Sequence, residues 1–287
     1  MKKISGFING ILSSASFGMI PLFAVPVLQS GMGFMSVLLY RFTFATILLA
    51  LVLLLKRESF LIKRSDLFPL MLLAVFYIVS SVFLLWGYTF MSSGIATTIH
   101  FMYPVITTLI MMFFFRERKS IWRIAAVCMA IVGVYFLSHT DSNAAFNWLG
   151  VFIVLISALG YALYLVALGQ FRQIQVRGIK LTFYVFFLST VMLWIGMFGA
   201  DSVQPLQGDN VILNLILLAF IPTVVSNLTL VQSIKKIGST LTSVLGAMEP
   251  VTAVLIGILV FSEPFTFSIA LGILLIISAV LIIIVKR

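Results

Sequence analysis

Apolar residues run along this chain in long blocks, separated by short polar links. A helix needs about 20 apolar residues to cross the hydrocarbon of a bilayer. Windows of that kind recur at about 5–27, 34–55, 67–90, 94–115, 121–138, 148–168, 181–200, 211–233, 239–261 and 266–285. The pattern predicts an all-α integral membrane protein with ten transmembrane helices and no soluble domain.

Part of the pattern is written twice. Pro104 is followed by an apolar run and, thirteen positions on, by Glu117; Pro250 is followed by an apolar run and, thirteen positions on, by Glu263. Phe115 precedes the first glutamate and Phe261 the second. One more apolar segment follows each, 122–137 and then 267–284. Near the start of each half, Ala15, Ser16 and Gly18 are paralleled by Ser157, Ala158 and Gly160. The chain therefore divides into a five-helix repeat over 1–140 and a second over 141–287. Five is odd, so the second half is expected upside down relative to the first. Such inverted repeats in secondary transporters put the substrate site near mid-membrane, where helices are interrupted. Pro104 and Pro250 mark the corresponding interruptions, and they leave the carbonyls of His100 and Gly246 without their helical donors.

Charge supports this topology. With the N-terminus inside, the cytoplasmic links and ends hold Lys2, Lys3, Lys56, Arg57, Lys63, Arg64, Arg116, Arg118, Lys119, Arg123, Arg172, Arg177, Lys180, Lys235, Lys236, Lys286 and Arg287. The opposite links carry Asp141, Asp201, Asp209 and Glu263. Short loops with this bias orient a membrane protein positive side inward, so both termini are expected in the cytoplasm. The net charge of +10 is then a topology signal, helped by anionic lipid, and does not point to nucleic acid. With 62% apolar and 9% charged residues, the composition is far from that of a soluble domain. Cys128 is alone, which excludes an internal disulfide and a cysteine metal site. The first apolar run is too long for a signal peptide core and reads as an uncleaved helix. No phosphate-binding loop, HExxH or nucleophile–base set is present, so no cofactor, no metal and no enzyme activity are expected.

Ionisable groups inside membrane spans are functional candidates by default. Glu249 is the sharpest: it either couples transport and contacts substrate, or satisfies backbone freed by Pro250. His100 is either a proton switch or a neutral imidazole bonded to a nearby hydroxyl or carbonyl. Arg41 either attracts an anionic group or, the favoured reading, snorkels to the outer interface. Tyr77, Ser81, Trp86, Tyr103, Tyr161, Tyr164, Asn227 and Gln232 are candidates to line a cavity; singly, each equally suits helix packing or an interfacial belt. Asn227 leads this group because its amide is costly to bury unpaired. Glu117 and Glu263 read as caps or ion pairs at the membrane faces.

The small-residue runs 14–18 and 157–160, the Tyr40-Arg41-Phe42 start of the second span, and the doubled Pro104…Glu117 and Glu249-Pro250…Glu263 units resemble the drug/metabolite transporter superfamily, specifically its ten-helix EamA-type permeases. The resemblance covers essentially the whole chain, and its specificity lies in the order and doubling of the motifs. It implies a bacterial inner-membrane carrier, often an exporter of amino acids or other metabolites, with a cavity between the halves. The chain departs from the usual pattern at Arg116, where a glycine commonly precedes the glutamate, and at His100.

Together these features predict a secondary transporter that moves a small organic solute by alternating access, with coupling to protons. The alternative is a lipid-handling flippase or scaffold. The two differ in whether the polar residues of the third, fourth, eighth and ninth spans converge on one cavity or scatter toward lipid. A monomer suffices for a pathway, while Gly6 and Gly10 leave a homodimer open.

Overall fold

A computed structural model describes residues 2–115, 121–138, 148–171, 176, 178–197, 203–262 and 266–285. The described chain is all helical: α1 Lys2–Phe17, α2 Ile20–Gln29, α3 Phe34–Leu55, α4 Arg64–Gly87, α5 Ser93–His100, α6 Tyr103–Phe114, α7 Ile121–Ser138, α8 Trp148–Gln170, α9 Ile179–Met197, α10 Asp209–Ala219, a π-helical turn Phe220–Val225, α11 Ser226–Ile237, α12 Ser239–Leu245, α13 Met248–Val260 and α14 Phe267–Val285. Eight stretches are long and apolar enough to cross a membrane, counting α1–α2, α5–α6, α10–α11 and α12–α13 as one stretch each. The apolar helices α7 and α14 pack against each other. Leu55, Phe113, Phe114, Phe152, Ile195, Leu259 and Phe267 lie exposed on the surface, as lipid contact allows.

Four membrane-length stretches are interrupted, and each interruption has a sequence cause. Pro21, Pro104 and Pro250 stand in the first turns of α2, α6 and α13, where a missing N–H costs nothing. The Gly246 carbonyl, expected free, accepts instead from the Glu249 N–H at 2.8 Å, one residue tighter than an α-helix. Pro222 cannot donate to the carbonyl of Leu218, and the chain bulges into a π-helical turn. That carbonyl accepts from the Thr223 hydroxyl at 2.8 Å.

The helices of the two halves interleave. α4 packs on α8, α1 on α11, α3 on α9, α6 on α12 and α5 on α13. Residues 144 positions apart repeatedly meet: Phe42 and Phe186 rings at 5.6 Å, Phe17 and Tyr161 rings at 5.5 Å, and the Thr46 and Thr190 hydroxyls at 3.2 Å. Tyr103 and Glu249, 146 apart, hydrogen-bond to each other. Ser13 donates to the Ser226 carbonyl at 2.8 Å, and Ser157 donates to the Ser80 carbonyl at 2.6 Å, a reciprocal pair of contacts between the halves. These contacts match Ser157 with Ser13, two residues away from the match suggested by the small-residue runs.

The ends of α3 and α9 are tied in the same reciprocal way. At the start of α3, the Tyr40 hydroxyl donates to the Gln204 carbonyl at 2.8 Å, and Ser36 accepts from the Gln204 N–H at 3.1 Å. At the start of α9, the Tyr184 hydroxyl donates to the Phe60 carbonyl, and Lys180 donates to the Leu61 carbonyl at 2.6 Å. The start of each helix therefore lies beside the chain that follows the other, so α3 and α9 run antiparallel.

Gly6 and Gly10 are consumed inside the fold. A Cβ on Gly6 would collide with Lys236 and Ile237, and one on Gly10 with Leu245 and Ser233. This small-residue face seats α1 on α11 and α12 and is not presented to a second copy.

Candidate functional site

The two proline breaks meet at the centre of the fold. His100 ends α5, Tyr103 opens α6, and Glu249 lies in the first turn of α13. His100 is 0% and Glu249 1% exposed. The Tyr103 hydroxyl donates to Glu249 Oε2 at 3.0 Å. Gly246 permits this reach, because a Cβ there would overlap the Tyr103 hydroxyl. Gly18, at the break between α1 and α2, lets that backbone lie against Glu249; a Cβ would strike the Glu249 carbonyl.

The geometry assigns the histidine tautomer. Ser157 donates its hydroxyl proton to the Ser80 carbonyl at 2.6 Å and lies 2.9 Å from His100 Nδ1. With its proton committed, Ser157 accepts from an Nδ1–H, so the neutral ring turns a bare lone pair out at Nε2. That Nε2 faces Glu249 Oε1 across 3.9 Å, and neither atom has a hydrogen-bond partner. The gap exceeds a hydrogen bond. One proton on Oε1 is the species that can serve both atoms. Phe17 stacks at 6.3 Å on His100 and at 5.5 Å on Tyr161, and Tyr161 meets the Tyr103 ring edge-on at 4.7 Å.

Beside this pair runs a second network. Asn227 Nδ2 donates to the Tyr77 hydroxyl at 2.9 Å and to the Thr223 carbonyl at 2.9 Å, and its Oδ1 accepts from Tyr164 at 3.2 Å. Tyr77 and Tyr164 pack edge-on at 5.1 Å. A cavity of about 10 Å³, the size of one water, opens among Ser13, Ser14, Tyr103, Tyr161, Thr242 and Glu249. Around it the central polar side chains are buried.

Of the candidates read from the sequence, Tyr77, His100, Tyr103, Tyr161, Tyr164, Asn227 and Glu249 come together here. Ser81 is buried on α4 beside Ser80. Trp86 does not join them. It is half-buried near the end of α4, among Phe34, Phe83 and Phe90, because its register carries it to the helix end. Gln232 accepts from Asn9 at 3.1 Å in an exposed contact. Arg41 does not snorkel. It is 1% exposed, and its Nε donates to Thr223 Oγ1 at 2.6 Å. It is the eighth residue of α3, about two turns in and on the face toward the π-helical turn, out of reach of the interface. Glu117 and Glu263 lie outside the described residues. Sequence reading did not single out Phe17, Ser157 or Thr223 as site residues. The 144-residue offset that pairs Ser13 with Ser157 and Phe17 with Tyr161 is the signal that could have found the first two.

A bundle of membrane-length helices that encloses ionisable groups at paired helix breaks has the architecture of a membrane transport protein. The chain belongs to the EamA-like transporter family, whose sequence profile matches residues 4–139 and again 148–285. It is 27% identical over 249 residues to an uncharacterized transporter of Archaeoglobus fulgidus, across 86% of this chain and 87% of that protein. A crystal structure of a protein 14% identical superposes with a TM-score of 0.77, covering 98% of this chain and 96% of that one, which shows a shared fold. The protein is thus a multi-pass membrane transporter of EamA type.

Proposed function

We propose that this protein moves a small organic solute, an amino acid or other metabolite, across the bacterial inner membrane by alternating access. Its ten helices form two inverted five-helix halves with both termini in the cytoplasm, and export is the working direction. Residues that meet their own equivalents, antiparallel α3 and α9, and the double profile match all support that arrangement. The observation that carries the reading is the Glu249–His100 pair. Two ionisable side chains, one from each proline break, face each other at 3.9 Å with their facing atoms unpaired. Burying such groups in a membrane protein is expensive, and they typically mark a substrate or proton pathway. Proton coupling follows from the single proton that the pair can share. Tyr77, His100, Tyr103, Tyr161, Tyr164, Asn227 and Glu249 converge on this centre instead of turning to lipid, which weighs against a lipid-handling scaffold.

The test is efflux from proteoliposomes loaded with a defined pool of amino acids and metabolites, with and without a pH gradient. Wild type is expected to release one solute class selectively and in response to the gradient, and Glu249→Gln is expected to lose the response. Release that ignores both the gradient and the substitution would remove Glu249 from the mechanism. No release at all would turn attention to the lipid-handling reading.

A further inference from the structure

One buried charge takes no part in the Glu249–His100 pair. Arg41 keeps its Nη2 without a hydrogen-bond partner, and no carboxylate pairs with it among the described residues. Its surroundings are a threonine oxygen and two ring faces, Phe17 at 5.9 Å and Phe42 at 5.7 Å. Ring faces attract a cation but carry no countercharge. Among the described residues, the buried carboxyl groups are Asp66 and Glu249. Asp66 lies in the first turn of α4, about 16 Å along the helix from Tyr77, which packs on Phe42. That leaves Glu249. Phe17 touches the surroundings of both groups: Arg41 lies over its ring, and it stacks on His100 and Tyr161. The phenols near Arg41 are Tyr77, Tyr88 and Tyr161, and the same three lie near Glu249, which Tyr103 bonds and His100 faces. α1 adds the hydroxyls of Ser13 and Ser14 beside Glu249. Cation and carboxyl are thus both buried, and Phe17 packs beside Arg41 and beside the partner of Glu249, without the two charges touching.

We propose that Arg41 binds the carboxylate of the transported solute through its free Nη2, and that this carboxylate and Glu249 are alternative counter-ions of the one guanidinium. The proposal rests on the transport reading above. Charge balance then dictates the coupling. The empty site is neutral when Glu249 is ionised opposite Arg41. When a solute carboxylate arrives, the buried interior holds two negative charges against one positive. A proton taken up on Glu249 Oε1, opposite the bare His100 Nε2, restores neutrality. Each carboxylate therefore crosses with one proton, and neither the loaded nor the empty carrier moves net charge. A guanidinium suits this role because it stays protonated and donates along fixed directions.

The experiment uses the full chain in proteoliposomes that trap a pH-sensitive dye. They are loaded with an equimolar set of small carboxylates, the matching primary amides, primary amines and zwitterionic amino acids. Potassium and valinomycin set the membrane potential, and protein-free liposomes give the baseline. Protein-dependent release is expected to be confined to carboxylate-bearing anions, with one proton per molecule and a rate unchanged by the potential. Arg41→Gln is expected to slow that release by about thirtyfold or more, the consequence of removing one partner of a buried charge pair. Arg41→Lys keeps the charge without the planar fork; it serves if Arg41→Gln fails to fold, and is expected to raise KM for carboxylates while leaving the unfolding temperature near that of wild type. Release of amides, amines or zwitterions, or carboxylate release at wild-type rate from a folded Arg41 variant, overturns this proposal and leaves the transport reading standing. Release of nothing by folded wild type overturns the transport reading itself.

Discussion

Tyr40 and Tyr184 hold opposite ends of the α3–α9 pair, and breaking either should bias the transporter toward one face. Each tyrosine stands 144 positions from the other, and each donates to the carbonyl of a residue, Gln204 or Phe60, that also differs from its counterpart by 144. Tyr40→Phe removes the 2.8 Å bond to the 203–208 segment and keeps the ring. Both side chains are half-buried, so the net worth of each bond is about 1 kcal/mol. Losing it changes the balance between closed and open at that end about fivefold. The readout is a single cysteine at Leu230, which lines the water-sized central cavity and makes no polar contact of its own there, in a chain whose exposed Cys128 is replaced by alanine. In sealed vesicles, Tyr40→Phe should raise labelling by an impermeant thiol reagent severalfold from the face that carries residues 203–208. It should lower labelling from the other face. Tyr184→Phe should do the reverse. If both variants raise labelling from the same face, the two ties do not close opposite ends, and the two-fold logic of the fold is wrong. If neither changes labelling, the ties are surface bonds with no part in gating.

Other perturbations read other parts of the site. Thr223→Val strands the Arg41 Nε–H and the Leu218 carbonyl together, and is expected to cost about 2–4 kcal/mol in thermal or denaturant unfolding. Gly246→Ala drives a methyl into the Tyr103 hydroxyl and should cost about 1–3 kcal/mol by overpacking. Combined with Tyr103→Leu it should cost less than the sum of the two, and strict additivity would show that the clash is relieved elsewhere. Asn227→Leu leaves the Tyr77 and Tyr164 hydroxyls and the Thr223 carbonyl without their partner. It should lower the unfolding temperature while solute selectivity stays unchanged, whereas a changed selectivity with intact stability would make Asn227 a solute contact.

Much of this molecule is legible along the chain. Membrane-length helices follow from apolar runs, because lipid admits a chain whose backbone groups are paired within each segment, and those runs are local. The breaks at Pro104 and Pro250 follow from a missing N–H, which is also local. Glu249 and His100 stand out for the same kind of reason, as ionisable groups inside apolar windows. What sequence alone left open was where side chains point once helices pack. Arg41 reads as a surface cation from its place near a helix end, yet packing against the π-helical turn encloses it. Trp86 reads as a lining residue and packs instead among phenylalanines at the end of α4. Gly6 and Gly10 read as a contact for a second copy and are filled by α11 and α12. The approach of Glu249 Oε1 to His100 Nε2 joins residues 149 positions apart in sequence, and no local pattern encodes a distance of that kind. Local spacing sets which residues share a helix face. Only the packing of one half against the other decides which faces meet, and therefore which buried charges find partners and which wait for a solute to supply one.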